Sequence, residues 1–187
     1  MKIVKSRLYL ALLLSPVYII HILCFCLSSK KELIRSDVKG FKYFIYHLVW
    51  DKPFRNVFYY RIGKIHFLFS WIFPRCSTTK ISQNMPIGKS IVLEHAINTF
   101  LNAESIGDNF LCYHNVTIGQ KGNKLPIIGN NVVVSCGACI LGNVIIGDNV
   151  IIGANCVVVK NVPNDCTVIG NPAHIVKKNG KKVDIVL

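Results

Sequence analysis

At 187 residues, 51% of them hydrophobic, the chain is long enough for one domain with an appendage and too apolar to be disordered. Its net charge of +13 is lopsided: residues 1–80 carry 14 basic and 3 acidic side chains, residues 81–187 carry 8 and 6. The basic part also holds both tryptophans, Trp50 and Trp71, which points to an anionic membrane surface; nucleic acid is disfavoured because no helix-turn-helix, zinc-finger or RNP-like pattern accompanies the charge.

In chain order, Lys2, Lys5 and Arg7 precede an apolar stretch over residues 8–27, followed by Lys30, Lys31 and Arg35. Twenty helical residues reach about 30 Å, the thickness of a bilayer core. The length permits a spanning helix, but Ser15-Pro16 is expected to break or kink it, and cations at both ends leave its orientation open. No small-x-small cleavage site supports a secretory signal. Residues 41–50 (FKYFIYHLVW) and 65–73 (IHFLFSWIF) are too short to cross and rich in belt-type aromatics, so they read as interfacial segments or as helices packed on the rest of the chain. Residues 1–75 are therefore expected to form a helical, membrane-associating region.

From about residue 81 an aliphatic residue recurs every sixth position. Ile128, Val134, Ile140, Ile146, Ile152 and Val158 open six consecutive hexads, and Val132, Ala138, Val144, Val150, Cys156 and Val162 follow four residues after each. Gly129, Gly147 and Gly153, with Asn130-Asn131, Asp148-Asn149 and Ala154-Asn155, supply turn chemistry. Upstream the frame runs through Ile87, Leu93, Phe100, Ile106, Cys112 and Ile118. Period six excludes an amphipathic helix, whose apolar residues recur at 3.6. Short strands separated by turns, three to a coil, predict a triangular prism stabilised by stacking of coil on coil.

The period breaks twice: by seven residues from Leu93 to Phe100, and by ten from Ile118 to Ile128, which leaves a loop at residues 120–126. A coil is eighteen residues, or nineteen across the seven-residue step, so His95 falls below His114, with Cys136 and Ala154 above them in the same column. Strand spacing puts neighbouring backbones in that column about 4.8 Å apart. The loop, lying in sequence between His114 and Cys136, is expected to overhang the histidine pair. Glu94 stands beside His95, and His114 reads either as a second functional residue or as a hydrogen-bonding turn residue. The cysteines of the periodic region, Cys136-x-x-Cys139 included, read as core and turn thiols, since no second pair completes a zinc set.

The stretches IGKSIVLEHAINTFLNAESIGDNFLCYHNVTIG and IGNNVVVSCGACILGNVIIGDNVIIGANCVVVKNVPNDCTVIGNPAHIVKK resemble the hexapeptide-repeat acyltransferases, in particular the serine acetyltransferase branch and its relatives that acetylate polysaccharides. The resemblance spans residues 81–178. It implies a mainly β chain: a left-handed parallel β-helix over residues 76–178, with residues 179–187 as a tail. Acetyl-CoA is implied as co-substrate, with no metal. His95 is implied as the general base, a role that suits a ring with a pKa near 6.5 and is worth roughly 10²- to 10⁴-fold. Glu94 and His114 are its neighbours in the site. Gly137, Ala138, Gly153 and Ala154 match the small residues along which the family lays the pantetheine arm, and Lys160, Lys177 and Lys178 are candidate partners of the coenzyme A phosphates. A homotrimer with the acceptor between subunits is also implied, and cytosolic acetyl-CoA sets the chain on the cytoplasmic side of a membrane.

Three departures bear on the acceptor. The loop reads Lys124-Leu125-Pro126 where serine enzymes carry a second histidine, Glu94 replaces an aspartate common among them, and the first 75 residues look like a membrane anchor. They favour a saccharide hydroxyl of a surface or capsular glycan, with L-serine as the alternative acceptor. A zinc carbonic anhydrase on this fold needs three coil histidines where this chain offers His95 and His114. A non-catalytic scaffold is the remaining reading.

Overall fold

A computed structural model describes residues 5–38, 40–71 and 73–187; Lys2, one of the flanking cations, lies outside them. The chain divides into two units, Met1–Ser77 and Thr78–Leu187.

The first unit is helical: α1 (Lys5–Leu13), α2 (Ile19–Leu27), α3 (Lys31–Val38), α4 (Phe41–Trp50) and α5 (Lys52–Ile62). A 3-10 turn at Ser15–Tyr18, with Pro16 in its first positions, separates α1 from α2 because the proline ring cannot continue the α-helical hydrogen-bond ladder. Among the described residues no single helix is long and apolar enough to cross a membrane; Lys5–Leu13 and Ser15–Leu27 meet the length and composition together but are bent by 63°. The segment 41–50 is helical as expected, with Phe44, Ile45, Tyr46 and Leu48 buried. The segment 65–73 is not a regular helix: it continues a 3-10 stretch, Gly63–Leu68, and then turns.

An aromatic cluster holds this unit together. Phe25 stacks on Phe44 with ring centroids 4.6 Å apart, and Phe44 meets Phe58 edge-on at 5.3 Å. Asp51 caps α5 by accepting from the Phe54 N–H at 3.0 Å. The Arg61 guanidinium grips Asp37 with both its Nε (3.0 Å) and a terminal nitrogen (3.2 Å), both side chains only 1% exposed, which locks α5 to α3. Tyr59 donates its hydroxyl proton to the Phe73 carbonyl, so the buried His21 must donate its Nε2 proton to the Tyr59 oxygen. Burial, with Arg55 nearby, lowers the His21 pKa to about 4 and keeps the ring neutral.

The second unit is the left-handed parallel β-helix. Its first face stacks Lys80–Ile81, Phe100–Leu101, Thr117–Gly119, Cys139–Leu141 and Val157–Val158. The second face stacks Ser105–Ile106, Ile127–Ile128 and Ile145–Ile146, with single bridges to Ile87 and Val162 at its ends. The third stacks Val92–Leu93, Leu111–Cys112, Val133–Val134, Ile151–Ile152 and Cys166–Ile169. All twelve residues at the two diagnostic positions, from Ile128 to Val162, are buried in the prism.

Two expectations need correction here. Phe100 is not an inward residue: it is 41% exposed, and Leu101 takes the core position instead. Residues 179–187 are not a loose tail either. Lys181–Val186 pairs antiparallel with His174–Lys178, and this hairpin extends the third face.

The edge between the second and third faces explains the Gly-Asx signature. Side chains of Asp108, Asn130, Asp148 and Asn164 accept from the backbone N–H of Lys89, Asp108, Asn130 and Asp148 in the coil before. A side chain on the residue before each donating N–H would collide: a Cβ on Gly129 would lie 2.7 Å from Asp148 Oδ1 and one on Gly147 2.2 Å from Asn164 Oδ1. Beside this column runs an amide ladder, Asn109 to Asn131 (2.8 Å), Asn131 to Asn149 (2.9 Å) and Asn149 to Asp165 (2.9 Å), each residue at positive φ.

Candidate active site

The histidines lie on the edge between the third and first faces. Strand pairing aligns Leu93 with Cys112, Cys112 with Val134 and Val134 with Ile152. Two residues beyond these stand His95, His114, Cys136 and Ala154. The register persists past the strands, since the Gly137 N–H donates to the His114 carbonyl at 3.1 Å and the Asn155 N–H to the Cys136 carbonyl at 2.9 Å.

The lowest of these turns differs from the others. Leu93 to Leu101 takes eight residues where Cys112 to Ile118 takes six. A double turn absorbs the two extra residues, with His95 at φ 52° and Asn98 at φ 51°, and with the Ile97 N–H donating to the His95 carbonyl at 2.7 Å. Asn98, rather than His95, occupies the place of Asn115 in the next coil, whose N–H bonds the Ile97 carbonyl at 2.9 Å. His95 therefore projects from a bulge. Apart from Ser90 and His95, every non-glycine residue at positive φ among the described residues is Asn or Asp, whose short polar side chains tolerate that region. A histidine there carries a backbone cost on the order of 1–2 kcal/mol.

The His95 ring is 77% exposed, with Nε2 at 3.5 Å from Oε1 of Glu94, itself 25% exposed. His114 is half-buried. The double turn was missed in the sequence because Phe100 and Leu101 both suit the inward position, and only Leu101 leaves room for it.

The loop at 120–126 is rooted on a different edge. It leaves the first face after Gly119 and enters the second at Ile127, closing on itself through a Lys121–Lys124 bridge and lying against Gly142. It does not spring from the histidine edge, because the first-face strand Thr117–Gly119 separates its root from His114.

The remaining candidates divide by position. Gly137, Gly153 and Ala154 lie along or beside the histidine edge, with Ala154 exposed. Ala138 is fully buried, so its methyl lies in the prism interior and lines no surface track. The smallness of the two glycines already follows from stacking: a Cβ on Gly137 would meet Asn155 Oδ1 at 2.1 Å, and one on Gly153 would meet the Ile169 side chain at 2.8 Å. Lys160 and Lys177 are exposed. In the hairpin Lys177 faces Lys182 and Lys178 faces Lys181, pairs of like charge that weaken a ladder unless an anion lies between them.

All eight cysteines are free thiols. Burial pushes Cys112 up to about 12 and Cys156 up to about 11, so both stay protonated near neutrality. Cys136 and Cys139 are half-buried; Cys139 faces outward because its neighbour Ile140 takes the core position. Among the described residues no group of three His, Cys, Asp or Glu could hold a metal ion.

The family model for the bacterial transferase hexapeptide (six repeats) matches residues 126–160. The serine acetyltransferase of Staphylococcus epidermidis is 37% identical over 142 residues, covering 73% of this chain and 65% of that enzyme. The chain carries the hexapeptide repeat of the bacterial transferases and is similar over most of its length to the serine acetyltransferases. Two solved serine acetyltransferases share the fold. Serine acetyltransferase from Brucella abortus strain S19 in complex with coenzyme A superposes with a TM-score of 0.66 and 27% identity, covering 80% of this chain and 68% of that one. The soybean enzyme complexed with serine gives 0.66 and 29%, covering 79% and 70%. The chain spans only 33% to 65% of the length of the curated serine acetyltransferases it matches.

Proposed function

We propose that this chain is an O-acetyltransferase that moves the acetyl group of acetyl-CoA to a hydroxyl, with His95 as general base. The observation that carries the reading is the histidine edge: His95 held on a left-handed bulge beside Glu94, one coil below His114, on the fold of the serine acetyltransferases. A neutral imidazole takes the hydroxyl proton as the oxygen attacks the thioester carbonyl, and the Glu94 carboxylate stabilises the imidazolium that forms. The proton then passes to the departing coenzyme A thiolate, giving ester and free thiol.

L-serine is the favoured acceptor, because the relatives named above are serine acetyltransferases and one is complexed with serine. The saccharide expected from the sequence has no counterpart among them. In its favour stands the loop reading Lys124-Leu125-Pro126 without a histidine, beside Glu94 and the anchor-like first 75 residues. Lys160 and the lysine pairs of the terminal hairpin are offered as the phosphate contacts, and Gly137, Gly153 and Ala154 as the pantetheine track. A base 77% exposed in one chain lacks the packing that orients a catalytic ring, which supports a homotrimer whose neighbouring subunit closes the site. The excess of positive charge in residues 1–80 and the exposed Leu13, Leu27, Leu68 and Trp71 support seating on the cytoplasmic face of a membrane.

The test is incubation of the protein and His95→Ala with acetyl-CoA and either L-serine or saccharides, with product read by mass spectrometry. Acetylserine that disappears in the variant is the expected result. Acetylated sugar alone would reverse the choice of acceptor, and no coenzyme A binding would overturn the transferase reading.

A further inference from the structure

The helical unit presents an apolar surface that ends in a cationic pocket. Along α2 the residues turned inward are His21 and Phe25, while Ile19, Ile20, Leu23, Cys26 and Leu27 face outward, Leu27 at 84% exposure. A helix lying between a core and water has a polar outer face, and this one has no charged residue on either side. Where α2 ends, Cys24 and Leu27 meet Ile62 and Ile65 around a half-open cavity of about 370 Å³, completed by Ser28, Ser29 and Lys30. That volume falls in the roughly 300–1,000 Å³ range of small-molecule pockets.

The charges at this cavity are of one sign. Lys30, which lines it, is exposed, with Nζ 5.9 Å from the centre of the Tyr60 ring. Arg61, also in the lining, is neutralised by Asp37, and among the described residues no carboxylate lines the cavity. Apolar walls under an uncompensated ammonium match one acyl chain below a phosphate.

We propose that this cavity seats an acyl chain of an anionic phospholipid, with the lipid phosphate at Lys30 and Ser29. The inference rests on the membrane seating proposed above and gives it a specific lipid contact.

Full-length protein is floated with phosphatidylcholine vesicles, with and without phosphatidylglycerol, and then irradiated with phosphatidylglycerol carrying a diazirine in its acyl chain. Flotation is expected to need the anionic lipid, and Lys30→Ala to weaken it about fivefold. Crosslinks mapped by peptide mass spectrometry are expected on the stretches containing Cys24 and Leu27 and containing Ile62 and Ile65. Flotation with crosslinks only elsewhere, such as α1 or Trp71, would overturn the pocket and leave the membrane seating standing. Absence of flotation with either vesicle would overturn both.

Discussion

The edge that carries Asn109, Asn131, Asn149 and Asp165 and the edge that carries His95, His114, Cys136 and Ala154 are both built of tight turns, and they differ in what joins one turn to the next. On the first edge side-chain amides and a carboxylate bond from coil to coil, and beside them glycine stands wherever a side chain would obstruct the neighbouring column of Asp108, Asn130, Asp148 and Asn164. On the second no such ladder runs. Its lowest turn is two residues longer, and it carries a histidine at positive φ in addition to Asn98, which holds the place of Asn115, Gly137 and Asn155 in the coils above. Regularity on one edge supplies the rigidity that lets the other be irregular and chemical.

That division predicts that stability and activity come apart under mutation. The largest effect is expected for His95→Gly: kcat/KM falls by about 10²- to 10⁴-fold, while the melting temperature rises because glycine relieves the left-handed backbone cost. Steady-state kinetics with a parallel thermal melt checks both halves; a fall in stability would mean that the ring also holds the turn. Next comes Ile140→Ala in the interior common to both edges, expected to cost about 2–5 kcal/mol by chemical denaturation. Asn131→Ala removes the middle rung of the ladder and puts alanine at φ 55°, so a loss of roughly 1–3 kcal/mol is expected with activity per folded molecule unchanged. The smallest effect is on thiol reactivity at pH 7–8: a maleimide should label Cys136 in the native protein and reach Cys112 and Cys156 only on unfolding, given their raised pKa values.

The prism was legible in the sequence because a six-residue period leaves the same trace at every coil, so Ile128 through Val162 declare their burial without reference to partners. The alignment of His95 with His114 was legible too, since it needs only counting. The double turn was not: one extra residue between Leu93 and Ile106 can be placed in more than one way, and steric fit in the core decides for Leu101. The loop's root was not legible, because sequence order between His114 and Cys136 does not say which corner the chain has reached. The helical unit was legible only in outline. Its core depends on pairings such as Phe25 with Phe44 and Arg61 with Asp37, which no period announces.

The terminal hairpin has a consequence for the molecule in bulk solution. A stack of parallel strands finishes on a row of unsatisfied N–H and C=O groups, a template onto which another molecule could add and propagate a fibre. By doubling back antiparallel, residues 174–178 occupy that template on the third face, and the strand left outermost carries Lys181 and Lys182. A newcomer approaching that edge meets two ammonium groups instead of a bare ribbon, so the column ends in a charged stop that opposes polymerisation.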